Sequence, residues 1–252
     1  MHQGVVTLLV VAGAAVGVNV VTASPALADG CYTWTREMIQ GMSGEDVRQL
    51  QIRVAGWPGS YGEVLSVDGT FGARTKAAVQ RFQAAYGLTA DGRAGPATQA
   101  KLYELQDDDC SPIHFSFAEV TDSDDCGSQA SLTGGSVPAS QVRENLIRVM
   151  WQAEALRHQL GDRPMTVTSG FRSKYCDDLV NGRDPGEGPY GQHTYGQALD
   201  FGGTPTLCEI AQQARYAGFN GILGPGYPDH NDHTHLDIRS SRFWSAPNCG
   251  VS

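Results

Sequence analysis

The sequence predicts an α+β protein in two parts: a small all-α module of three helices, then a mixed α+β domain with an antiparallel-type sheet. Three observations carry this. The chain has 252 residues, more than the ~150 typical of one domain. An internal repeat with helical pattern occupies its first half. Short strand-like runs separated by helices and irregular loops occupy its second.

Residues 1–28 contain no Lys, Arg, Asp or Glu, carry an apolar run from Val5 to Val21, and finish in Ala26-Leu27-Ala28, a small-x-small cleavage site. They read as a secretory signal peptide. Met1 to Gly4 lacks a basic residue and the run approaches spanning length, so a retained anchor is the alternative. No other segment approaches that length, and the chain beyond Ala28 is expected to have no membrane contact.

Residues 29–110 are expected to form the helical module. Val67-Asp68-Gly69-Thr70-Phe71-Gly72-Ala73-Arg74-Thr75 is echoed by Ala90-Asp91-Gly92-Arg93-Ala94-Gly95-Pro96-Ala97-Thr98. Each Asp-Gly suits a tight turn in which Gly accepts positive φ, and Pro96 suits a first helical turn. Ala78, Val79, Phe82 and Ala85 recur at helical spacing, and Ser43 before Asp46-Val47-Leu50 is placed to cap an earlier helix. The Asp-, Ser- and Gly-rich stretch 111–136 reads as a linker.

The second domain is expected over 137–252. Leu146, Val149, Met150, Ala153, Leu156 and Leu160 share one face of a long helix from about Ala139. Met165 to Thr168 reads as a strand, ended by a turn that exposes Arg172. A helix is expected from Thr206 to Ala217 with Gly218 closing it, followed by the apolar run Gly221-Ile222-Leu223.

The net charge of −9 argues against a nucleic-acid partner, which would need clustered Lys and Arg. The runs Asp107 to Asp109 and Asp122 to Asp125 read as solvated chain. The six cysteines all follow Ala28, are widely spaced and include no Cys-x-x-Cys pair, which favours three disulfides in an oxidising compartment. Domain logic pairs them in order of sequence: Cys31 with Cys110, Cys126 with Cys176, and Cys208 with Cys249.

The chemistry concentrates in two segments, His193-Thr194-Tyr195-Gly196-Gln197-Ala198-Leu199-Asp200 and Asp229-His230-Asn231-Asp232-His233-Thr234-His235-Leu236-Asp237. In the second, Thr234, Leu236 and Ile238 alternate with His233, His235 and Asp237, so a strand would send the imidazoles to one face. Two histidines and one aspartate would suit a catalytic zinc, which keeps a fourth position for water. Asp232 beside the histidine pair is then a candidate general base. Structural or pH-responsive histidines are the competing explanation. The spacing of His193 and Asp200 around Gly196 suggests a loop followed by a strand.

At these residues the chain resembles the zinc D-alanyl-D-alanine carboxypeptidases, a family shared with vancomycin-resistance D,D-dipeptidases and phage-type peptidoglycan endopeptidases. Its His-x-x-Gly-x-Ala-x-Asp pattern is met by His193, Gly196, Ala198 and Asp200, and its acidic-x-x-His element by Asp232 and His235. Ser169-Gly170-Phe171-Arg172-Ser173 is similar to its arginine-bearing segment. The resemblance spans roughly Gln141 to Arg239. It implies one Zn²⁺ per chain held by His193, Asp200 and His235, with Asp232 as base. It also implies that His233 steadies the oxyanion and that Arg172 contacts the substrate carboxylate or scissile carbonyl. Many relatives carry Ser two positions before the first histidine; here Gly191 removes that hydroxyl.

The repeat, over roughly Gly41 to Leu105, resembles the three-helix peptidoglycan-binding module of many wall hydrolases. Together the two resemblances are similar to secreted actinomycete members of the carboxypeptidase family. They imply a monomeric secreted enzyme, extracellular or in the cell wall, that binds peptidoglycan and releases the terminal D-alanine of its stem peptides. An endopeptidase cutting stem or cross-bridge peptides and a catalytically silent wall-binding protein are the alternatives.

Overall fold

The computed structural model describes residues 30–122, 126–185, 189 and 191–252; the expected signal peptide, 1–28, and the acidic run from Ser123 to Asp125 lie outside the described residues. The first part contains α1 (Glu45–Val54), α2 (Ala73–Ala85) and α3 (Pro96–Glu104). Met38, Leu50, Phe71, Val79, Phe82 and Leu102 are buried between them. The Cys31–Cys110 disulfide closes this part. Helix α1 is not capped by Ser43. Gly44 occupies the N-cap at φ +143°, a conformation open to glycine, and a Cβ there would sit 2.7 Å from Asp46 Oδ1.

The sequence repeat has a structural counterpart that its two Asp-Gly turns alone did not reveal. Gln51 Nε2 donates to Asp68 Oδ1 (3.0 Å), the Thr70 carbonyl (3.0 Å) and Thr75 Oγ1 (3.1 Å), while Gln51 Oε1 accepts from Gly69 N–H (2.7 Å). Gln83 makes the same four contacts with Asp91, Arg93, Thr98 and Gly92, each at 2.9 Å. Both glutamines are buried. One buried amide thus ties each turn to the start of the next helix. Gln51→Leu or Gln83→Leu strands the turn's buried polar groups and is expected to destabilise the protein by about 1–3 kcal/mol, read as a lower urea midpoint at unchanged slope.

Helix α5 (Ala139–Gln159) belongs to both parts. Val142, Leu146, Val149, Met150, Ala153 and Leu156 enter the core of the second domain, as their spacing predicts. The other side of the helix puts Trp151 and Ala155 into the core of the first. The contact is close: a Cβ on Gly56 would lie 2.4 Å from Ala155 Cβ. Arg48 pairs with Glu144 across the same seam. The module is therefore packed on the second domain along one helix.

The stretch 111–136, expected as a linker, is built into the second domain. It carries α4 (Phe117–Thr121), opened by a reciprocal Ser116–Glu119 capping box. It also buries Phe115, Val120 and Leu132 in the second core. Its backbone is held too: Phe171 N–H donates to the Val120 carbonyl at 2.6 Å, and a Cβ on Gly170 would come within 2.2 Å of that oxygen. Polar composition concealed this because a few apolar side chains do the anchoring. The Cys126–Cys176 disulfide joins the stretch to α6 (Lys174–Val180).

The sheet contains β1 (Thr166–Ser169), β2 (Ala198–Gly202), β3 (Gly221–Leu223), β4 (Thr234–Asp237) and β5 (Phe243–Ser245), in the order β1-β2-β4-β3-β5. The expected antiparallel-type sheet holds for β1–β2, β2–β4 and β3–β4, but β3 and β5 run parallel, so the sheet is mixed. The segment 238–242 reverses the chain after β4, and β5 then lands beyond β3, which itself opposes β4. Helix α7 (Leu207–Ala214) has Thr206 as N-cap in a second capping box and is tied by the Cys208–Cys249 disulfide. All three cysteine pairs are those expected from domain logic. Among the described residues no helix is long and apolar enough to cross a membrane.

Candidate metal centre

Strand alternation sends Leu199 and Phe201 of β2 and Leu236 of β4 into the core, leaving Asp200 and His235 on the opposite face. The register makes those two direct cross-strand partners. His193 arrives from a short 3-10 turn, Gln192–Tyr195, pressed against α5. Asn145 Nδ2 donates to the Tyr195 carbonyl at 2.8 Å, and Gly196 follows at φ +68°, where a Cβ would lie 2.7 Å from the Val142 carbonyl oxygen. A side chain at 196 would push the turn, and His193 with it, off the helix.

Three potential ligand atoms converge. His193 Nε2 lies 3.1 Å from His235 Nδ1 and 3.2 Å from Asp200 Oδ2, and His235 Nδ1 is 2.9 Å from Asp200 Oδ1. All three residues are buried. The far nitrogen of each imidazole is committed elsewhere. His193 Nδ1–H donates to the Gly170 carbonyl (2.6 Å) and His235 Nε2–H to Asp237 Oδ2 (2.9 Å). A carbonyl and a carboxylate only accept, so these bonds place protons on the outer nitrogens and turn the neutral rings' lone pairs inward. Two imidazole lone pairs and a carboxylate within bonding reach of one point form a donor set suited to a divalent metal such as zinc.

The electrostatics follow from burial and these neighbours. Burial and the Arg172 charge lower the His193 imidazole. Burial would lower His235 as well, but Asp200 and Asp237 overcome it and push the ring up to about 9, so without a metal Nδ1 is also protonated toward Asp200 Oδ1, and a metal would displace that proton to reach the lone pair. For Asp200, burial is outweighed by His193 and His235, which hold its carboxyl well below the ordinary range. The cluster is thus arranged to keep its carboxylate ionised.

Asp237, which sequence reasoning left unassigned, holds His235. Its carboxylate is fully buried, is gripped by Arg239 (Nε to Oδ1, 2.8 Å), and lies over Gly221 so closely that a Cβ there would be 2.1 Å from Oδ2. The signal was present in the alternation: Asp237 is two residues beyond His235, on its face of β4. Asp237→Asn, or Gly221→Ala, which displaces the carboxylate, is expected to weaken zinc binding about 10–100-fold in a chelator competition titration.

The remaining expected site residues are only partly brought together. Arg172 lies beside the cluster, with Nη2 3.8 Å from Asp200 Oδ2 and Nε 3.6 Å from Asp177 Oδ1, and its buried Nε has no hydrogen-bond partner. His233 faces the cluster with Nε2 3.9 Å from Asp200 Oδ1. Asp232 does not reach in: its side chain is 89% exposed and accepts from His233 Nδ1 at 2.8 Å. His230, also unassigned from sequence, has its ring 4.6 Å from His233 and 6.0 Å from His235. Arg172, Gln192, His230, His233 and Arg239 line a cleft of about 320 Å³ over the ligand atoms.

Comparison with known proteins decides the family. The chain is 54% identical to the zinc D-Ala-D-Ala carboxypeptidase of Streptomyces albus G over 224 residues, covering 88% of this chain and 84% of the relative. It belongs to the M15 peptidase family. The Peptidase M15 model matches 114–237, beginning inside the stretch expected as a linker and ending on Asp237. A peptidoglycan binding domain model matches 43–102, the three-helix part. Shorter similarities reach a Bacillus licheniformis protein named "Probable N-acetylmuramoyl-L-alanine amidase" (38% over 82 residues; 31% of this chain, 22% of the relative). A Bacillus cereus spore cortex-lytic enzyme is 36% identical over 103 residues, 40% of this chain and 38% of that one. In this M15 peptidase the convergent donor set, His193, Asp200 and His235, lies within the matched range 114–237.

Proposed function

We propose that this chain is an exported zinc D,D-carboxypeptidase that removes the terminal D-alanine from peptidoglycan stem peptides. The observation that carries the reading is the inward-facing set of His193, Asp200 and His235 with Arg172 beside it. These three hold one Zn²⁺, and when bound it polarises the scissile carbonyl and acidifies water. The signal peptide over 1–28, the wall-binding module over 29–110 and the monomeric state belong to the same proposal, with 111–136 counted in the catalytic domain.

The remaining roles fall to residues around the cluster. Arg172 is nine-tenths buried beside Asp177, which also pairs with Arg183 (3.0 Å), so this end of the cleft offers a fixed guanidinium to a free terminal carboxylate. That favours cleavage next to a chain end over cleavage within a cross-bridge. Asp232 and His233 act as a pair. His233 Nε2 faces the reacting atoms and takes the water proton, Asp232 accepts from Nδ1 and balances the charge, and the proton then goes to the departing amine. This refines the expectation of Asp232 as a lone base and gives His233 the nearer part.

The reading is tested by alanine release from an acyl-D-Ala-D-Ala peptide, with chelation, zinc restoration and the L,L peptide as controls. Zinc-dependent release from the D,D peptide alone is expected. Cleavage of cross-linked peptidoglycan without release from the short peptide would replace it with an endopeptidase.

A further inference from the structure

A second groove lies beside the metal cleft, and it is built jointly by the two parts of the chain. Its volume is about 560 Å³. One wall is the module segment Val64 to Val67; the other is formed by Arg148 of α5, Tyr195, Gln197 and Asn220. Gln192 and Arg239 line both this groove and the metal cleft, so the two adjoin at these residues. Arg172 lines only the metal cleft. A peptide whose terminal carboxylate sits at Arg172 has its amino side free to run into the groove.

The groove contains a charge with no counterpart. Among the described residues no carboxylate forms an ion pair with Arg148; Glu144, which acts on it through space, is paired with Arg48. The Arg148 guanidinium is largely buried, Nε has no hydrogen-bond partner, and its one hydrogen bond is a long one from Nη2 to the Leu65 carbonyl, 3.5 Å. Burial lowers its pKa, so the charged form is held there at a cost. Beside it, Gln192 and Gln197 make no side-chain hydrogen bond among the described residues. A largely buried guanidinium flanked by free amides is suited to a carboxylate on an extended peptide, because a planar fork can grip both oxygens.

We infer that this groove binds the amino side of the substrate peptide and that Arg148 recognises a carboxylate carried there, with the module's Val64–Val67 segment as one wall of the subsite. The inference rests on the proposed carboxypeptidase reading for the direction of the peptide. It makes the module a part of the substrate site as well as a wall anchor. Arg148 acts on selectivity among acyl peptides and takes no part in the bond-breaking step.

The test uses full-length mature protein loaded with zinc and two pentapeptides ending in D-Ala-D-Ala, each with a γ-linked glutamate whose α-carboxylate is free in one and amidated in the other. Calorimetric binding of the corresponding tetrapeptide products, which are not cleaved, is measured alongside KM. The wild-type protein is expected to prefer the acid over the amide about tenfold in both readouts, and Arg148→Gln to abolish the preference. Equal binding of acid and amide by the wild-type protein overturns the inference without any variant. An unchanged preference in a folded Arg148→Gln protein overturns it equally. Failure of both pentapeptides to lose alanine sinks the carboxypeptidase reading instead, while product binding still decides the groove.

Discussion

Alanine at His193 or His235 is expected to leave the protein without bound zinc after dialysis and to drop D-alanine release to background. The cluster offers three ligand atoms, and a two-ligand remnant lacks the three-ligand set of a catalytic zinc site. Asp200→Ala is expected to behave the same way for a further reason: Arg172 Nη2, 3.8 Å from Asp200 Oδ2, would then face two imidazoles with no carboxylate between. Metal analysis and turnover on one preparation check this. A His193→Ala protein retaining one zinc and full activity would remove His193 from the site.

Asp232→Asn is expected to keep zinc and lose activity by about 10²–10⁴-fold, the usual range for a positioned acid–base group. Its carboxylate is exposed and outside the donor set, so nothing in the geometry ties metal retention to it. His233→Ala should fall in the same range, and the double variant should be little worse than either single one, because two members of one proton-handling unit are not additive. Independent, multiplying losses would instead separate the two residues. A fully active Asp232→Asn enzyme would refute any acid–base part for that carboxylate.

The α+β class, the three-helix module and the metal-binding segments were legible in the sequence, because each rests on local chemistry, whereas the cysteine pairing was an expectation from chain order that the fold made good. Asp-Gly turns and Pro96 mark helix starts, and alternation at His233, His235 and Asp237 marks the strand face. Tertiary structure alone decided how those pieces meet. That α5 serves two cores follows from what packs on its second face, where Trp151 and Ala155 are consistent with either a buried or an exposed helix until Gly56 closes on them. The linker reading failed because Phe115, Val120 and Leu132 find a core that a polar neighbourhood does not announce. Alternation placed Asp237 on the face of His235, but only the fold shows that its carboxylate holds the outer ring nitrogen and that Gly221 leaves the space for it. The groove at Arg148 exists only where module and domain touch, between residues far apart in the chain, and no local pattern encodes a contact at that range.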